Sequence, residues 1–305
     1  MVAGLMLLTQ CRKDDLAGVT PGTQTVNMTV TVGTSRTNIG DDGSITWSAN
    51  DILYVSDGAK CIGYLKIEES SKSYGASAKF QGSVNSNDVE DGQFFHFFYL
   101  GNGGDVTFSG GTSKTYENAT SATIDFNSHK DEGGKSVGQT GELTNLSQYH
   151  IGYGTGTGTL TTTDDTKTIT INETVKMLSE VAIAYFEFKD GTKDGYNGTV
   201  TISGAYNQMN VNFVCKDVGN VDIFEGGYKE ETQKDITLTG TSSQRYVMLV
   251  PTSFDETGGE KTLTFSKNST SEGDPTVEFT KGIVANHFYC KDGNHKDPIE
   301  VTFPN

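Results

Sequence analysis

The feature that most constrains this chain is alternation without a helical period. Val26-Asn27-Met28-Thr29-Val30-Thr31-Val32 places an apolar side chain at every second position, which in an extended backbone puts all four on one face. Segments of the same kind recur at residues 168–171, 199–202, 262–265 and 299–303, and residues 51–55 and 62–67 are further strand candidates. Between them stand Gly, Asp, Asn and Ser clusters such as Gly40-Asp41-Asp42-Gly43, which is turn chemistry. No apolar spacing of helical type lasts beyond two turns, so alternating strand–helix units are excluded and packed sheets are expected. The 41 threonines and 37 glycines fit strands and turns in the same way. Residues 94–100 (FFHFFYL) are apolar on both faces, which predicts a strand covered on both sides.

Residues 127–168 are polar and rich in Gly, Ser and Thr, and the run from Gly152 to Gly158 reads as loops between sheets. A new apolar series begins with Met177-Leu178 and Val181-Ala182-Ile183-Ala184. The expectation is an all-β chain with two β-sandwich domains in tandem, residues 23–173 and 174–305.

Charge and motifs narrow the function classes. With 39 acidic against 23 basic residues the net charge is −16, and no Lys/Arg cluster offers the basic face that nucleic acid requires. Gly133-Gly134-Lys135-Ser136 resembles the end of a phosphate loop, but His129 stands where the first glycine is needed. The acid pairs Glu68-Glu69, Asp164-Asp165 and Glu230-Glu231 are adjacent in sequence, so on strands they point to opposite faces. His96 between Phe95 and Phe97 reads as a satisfied strand residue rather than a base. His287, Cys290 and His295 are one ligand short of a zinc site. No enzyme activity, metal or cofactor is expected.

The N-terminus carries the compartment signal. Residues 2–8 (VAGLMLL) are too short to span a bilayer and read as the apolar part of an export signal, residues 1–10, whose start lies upstream. Leu8-Thr9-Gln10-Cys11 resembles a bacterial lipobox, with Cys11 as the acylated residue and Gln10 departing from the usual small residue. Behind it, Lys13, Asp14 and Asp15 resemble the surface-export signal of Bacteroidetes lipoproteins, so residues 11–22 are expected to be a lipidated tether at the outer membrane and cell surface. Cys61, Cys215 and Cys290 remain, an odd number that cannot all pair within one chain.

Further landmarks follow in order: Ser35-Arg36-Thr37, Trp47-Ser48-Ala49-Asn50-Asp51-Ile52, Lys79-Phe80-Gln81-Gly82, the aromatic strand at 94–99, Leu178-Ser179-Glu180-Val181-Ala182 and Tyr246-Val247-Met248-Leu249-Val250-Pro251. In this order the chain resembles the Bacteroidales fimbrillin family of FimA/Mfa-like pilin lipoproteins. The resemblance implies two transthyretin-like sandwiches, export as a lipoprotein and N-terminal trimming. It also implies assembly into surface fimbriae by strand exchange with self or related subunits. Cleavage between Arg36 and Thr37 would release Val26, Met28, Val30 and Val32 as one displaced strand. The segment Ile299, Val301 and Phe303 is the candidate donor, or else the last strand of its own sandwich. Arg36 has the plainer reading of an exposed loop arginine. A different class of function is a non-polymerising surface lipoprotein that binds glycan or host protein, and a host or bacterial surface ligand belongs to either reading.

Overall fold

The structure is a computed structural model. It describes residues 25–304 except 34–37, 40–44, 69–76, 86, 88, 102–104, 112–114, 128–137, 165, 192–194, 216–234, 253–258, 268–272 and 292–295. In chain order β1 (Thr25–Gly33) precedes the short pair β2 (Asn38–Ile39) and β3 (Ile45–Thr46). Then come β4 (Ile52–Ser56), β5 (Cys61–Ile67), β6 (Ser77–Asn85) and β7 (Phe94–Tyr99). The hairpin β8 (Asp105–Ser109) and β9 (Ser121–Asp125) leads to a single helical turn α1 (Leu143–Leu146), after which β10 (Gly152–Thr163) and β11 (Thr166–Lys176) form a long hairpin. β12 (Leu178–Ser179), β13 (Ala182–Asp190), β14 (Val200–Ser203), β15 (Gln208–Asn212) and β16 (Ile236–Leu238) follow. Last are β17 (Gln244–Leu249), β18 (Lys261–Ser266), β19 (Thr276–Phe279), β20 (Phe288–Tyr289) and β21 (Ile299–Phe303).

The all-β expectation holds. The N-terminal strands, however, do not form an open two-sheet sandwich. Sheet order runs β1, β6, β5, β4, β7, β10, β11, and β11 pairs again with β1, so seven strands close a ring. Closure abolishes the exposed edges that an open sheet would leave. The interior is packed with Val26, Met28, Leu53, Phe80, Phe97 and Ile169, all fully buried.

The run read as loops, Gly152 to Gly158, is the first half of β10. Its glycines stand at every second position and face the ring interior, while Thr157 and Thr159 lie outside. A Cβ on Gly154 would stand 2.7 Å from Val175 Cγ1 and 2.8 Å from the Lys176 carbonyl oxygen, and one on Gly156 would stand 2.7 Å from Ile171 Cγ2. The missing side chains are what let β10 lie against the large residues of β11. Gly154→Val is therefore expected to destabilise by about 1–3 kcal/mol or more, because the carbonyl cannot step aside. The midpoint of urea unfolding measures it.

β7 is covered on both sides, as its composition predicts. Phe95, Phe97 and Tyr99 face the ring interior, while Phe98 and Leu100 enter a second core. That second core lies under the sheet β8–β9–β15 and takes Met209, Val211 and Phe213 from the later half of the chain. The expected boundary at 173/174 falls inside β11, and β15 pairs with β9 along Gln208–Asn212, so the two halves share this middle layer. The third core fills the C-terminal sandwich between the sheet β17–β13–β20/β21 and the sheet β16–β14–β18–β19.

Candidate functional site

The distinctive element is β1 itself. It pairs antiparallel with β6 along its whole length, from Thr25↔Asn85 to Gly33↔Ser77, and parallel with β11 on its other side. The parallel register runs Asn27↔Thr168 to Thr29↔Thr170, shifts, and resumes from Thr31↔Thr174 to Gly33↔Lys176. The shift is a bulge in β11 opposite Val30, which keeps the ring curved. Val26, Met28, Val30 and Val32 are each 0% exposed, and Thr25, Asn27 and Thr31 face solvent. β1 is thus a central stave with main-chain partners on both flanks.

Three of the sequence landmarks converge on this stave. Lys79-Phe80-Gln81-Gly82 is the stretch of β6 opposite β1, with Val30↔Phe80 and Met28↔Gly82. Gly82 is required there, because a Cβ would stand 2.5 Å from the Tyr64 carbonyl oxygen on the next strand. Trp47 plugs the ring, its indole edge-on to Phe80 at 4.9 Å and to Tyr99 at 5.6 Å. Asp51 is fully buried and accepts the Ser48 N–H at 2.6 Å and the Tyr99 hydroxyl at 2.9 Å. Burial, and after it the neighbouring Asp51 carboxylate, pushes the Tyr99 pKa well above its ordinary value.

The other predicted residues are spread along the chain. Cys11, Lys13, Asp14, Asp15, Arg36 and Thr37 lie outside the described residues. Arg36 falls in the link between the end of β1 at Gly33 and the start of β2 at Asn38. Ile299, Val301 and Phe303 belong to β21, which pairs parallel with β13 from Phe186↔Ile299 to Asp190↔Phe303. Val301 and Phe303 are buried in the C-terminal core, and Lys189 Nζ binds Glu300 Oε2 at 2.6 Å on the outer face. His96 is a satisfied strand residue, its Nδ1 2.7 Å from the Tyr153 hydroxyl, and burial lowers its pKa to about 4.

Two features that hold this arrangement went unread beside β10: the pairing of the strand at 168–171 with β1, and one side chain. β11 is the second wall of the β1 slot. The other is Gln139, fully buried, whose side-chain amide serves both main-chain groups of Met248 on β17. A period-two glycine pattern was the available signal for β10. A lone Gln in a polar run gives none.

One titratable group sits at the joint where the chain leaves the ring for the C-terminal sheets. Glu180 is 8% exposed, its N–H donates to the Ile151 carbonyl, and burial pushes its carboxyl from 4.5 up to about 8. Folding thus favours the protonated form. The stability this provides is complete below about pH 4.5 and is lost as the pH rises through about 8. Glu180→Gln, which mimics the protonated acid, is expected to match the parent near pH 4 and exceed it above pH 8. The gap should approach roughly 5 kcal/mol. Thermal unfolding of both proteins from pH 4 to 9 measures the difference.

No protein-family model matches the chain, and no curated protein matches it. Among solved structures it is similar to a protein described as a candidate cell adhesion protein from Bacteroides ovatus, at 11% identity over 93% of each chain, TM-score 0.43. It is similar also to a fimbrial assembly protein from Parabacteroides distasonis, at 10% identity over 87% of this chain and 89% of that one, TM-score 0.34. A third neighbour is the fimbrial anchor protein Mfa2 from Porphyromonas gingivalis, at 11% identity over 79% of this chain and 78% of that one, TM-score 0.37.

Proposed function

We propose that this chain is a surface fimbrial or adhesin-like subunit that assembles by exchanging β1 for a strand of a neighbouring subunit. The observation that carries the reading is the position of β1, a fully buried stave between β6 and β11 with one arginine in the link just beyond it. A cut after Arg36 would free the strand from everything that follows. The slot left behind would have two unpaired edges and an apolar floor, and would need a replacement.

The sequence landmarks support the same reading, since the one on β6 forms one wall of that slot and those on β7 and the Trp47 turn fill the ring core beneath it. In this proposal the chain is exported as an outer-membrane lipoprotein through Cys11, trimmed at Arg36 and Thr37, and held at the cell surface by other subunits. It performs no catalysis. β21 as donor would require withdrawing Val301 and Phe303 from the C-terminal core, so a subunit that keeps β21 at home receives a strand without giving one.

An arginine-specific protease tests this on the folded chain from residue 12 onward. Three arginines occur, and Arg245 is fully buried with its Nε donating to the Ser242 carbonyl, so Arg36 is the interior site expected to be cut. Mass spectrometry identifies the cut and light scattering follows assembly. Cleavage after Arg36 with growth of oligomers is the expected result. A cut protein that stays monomeric favours the non-polymerising binding lipoprotein, and an uncut protein removes the maturation step.

A further inference from the structure

The C-terminal sandwich has two sides where its sheets could open, and a segment of described chain closes one of them. There Gln139 lies beside β16, donating its N–H to the Thr237 carbonyl and accepting from the Thr239 N–H, while its side chain serves β17. The Gly141 carbonyl accepts the Tyr246 N–H on the same β17 edge. An extended piece of polypeptide thus spans both sheets.

The opposite side lies between β19 and β20/β21, which have no outer ladder partner among the described residues. A cavity of about 300 Å³ opens there. Val277, Phe279, Val284, Tyr289 and Ile299 line it, with the rings of Phe279 and Tyr289 edge to face at 4.8 Å. The Tyr289 hydroxyl is engaged, accepting the Val284 N–H at 2.7 Å and donating to the Gly282 carbonyl. The bond from the Phe265 N–H to the Pro275 carbonyl fixes the phase of the β18–β19 ladder. Val277 and Phe279 therefore turn their main chain toward β18, and Thr276 and Glu278 turn theirs outward.

We propose that this cleft docks an extended segment of a different polypeptide, which adds as a strand to β19 and sets an apolar side chain into the cavity. Three observations favour that occupant. The outward main-chain groups of β19 call for a main-chain partner. The volume is at the bottom of the range for small-molecule sites and suits one or two aliphatic side chains. The sandwich closes its other side with an extended segment. The net charge of −16 adds that the partner segment is best flanked by Lys or Arg, and it disfavours a second copy of this chain. The inference does not depend on exchange of β1.

The probe is a fluorescent peptide, acetyl-Lys-Thr-Val-Thr-Leu-Thr-Lys-amide, titrated into the full chain at low salt and followed by anisotropy, with amide exchange read at Glu278. Saturable binding with slowed exchange there is expected. Val277→Trp, which fills the cavity, and Glu278→Pro, which deletes the outward donor but no ladder bond, should each weaken binding at least about tenfold with the unfolding midpoint unchanged. Absence of binding, or equal binding by both folded variants, overturns the proposal. A concentration-dependent dimer that Glu278→Pro abolishes would assign the cleft to a second copy and overturn it as well.

Discussion

A chain lacking residues 1–36 is expected to lose most of its folding stability and to regain it when the β1 strand is supplied as a separate peptide. Val26, Met28, Val30 and Val32 are completely buried, and each side chain of that size contributes about 1.5–3 kcal/mol. Together they account for roughly 6–12 kcal/mol, against about 5–15 kcal/mol for a whole domain. The loss also unpairs the facing main chain of β6 and of β11. Thermal unfolding of the truncated chain, with and without a peptide of residues 24–34, measures both halves of the expectation. The register makes the rescue specific. A peptide with Met28→Asp should fail, because its carboxylate would enter the dry interior opposite Gly82, whereas Thr31→Ser on the solvent face should rescue as well as the parent. A truncated chain as stable as the parent would mean the ring recloses without β1.

Replacing Gln139 by Met is expected to cost about 2–6 kcal/mol although nearly all of the side-chain volume is kept. Its Nε2 donates to the Met248 carbonyl at 2.9 Å and its Oε1 accepts the Met248 N–H at 2.8 Å, both buried. A thioether can serve neither, and each buried main-chain group left unmet costs about 1–3 kcal/mol. Gln139→Glu should lose at least the carbonyl half, since a carboxylate cannot donate. Denaturant unfolding of the three proteins separates these cases. If Met is tolerated, the edge of β17 must have found another partner.

Much of the fold was legible because strand alternation is a local signal. β1, β7 and β21 announce themselves in their own residues, and the FFHFFY run declares that both faces of β7 are covered. What could not be read is pairing between distant segments. β1 and β11 are parallel neighbours separated by most of the ring, and nothing in Thr168-Ile169-Thr170-Ile171 names Asn27-Met28-Thr29 as its mate. The inner face of β10 was misread for a different reason. Glycine is depleted from strands in general, and here it is present because the facing residues need its missing side chain. The candidate site divides in the same way: β1 was visible in the alternation, while its second wall came only with the ring.

The parallel contact between β1 and β11 also sets an order in time. A chain is made from its N-terminus, and Met28 must wait for Ile169 before its second flank exists. Contacts so distant in sequence form late. The first stave synthesised is consequently the last to be closed on both flanks, and every newly made molecule passes through a ring open between β1 and β11. During that interval β1 competes with any strand of similar pattern, including the β1 of another copy. If strands are exchanged as proposed, the crowding of unfinished chains would shift the balance between molecules that close on themselves and molecules that close on a neighbour.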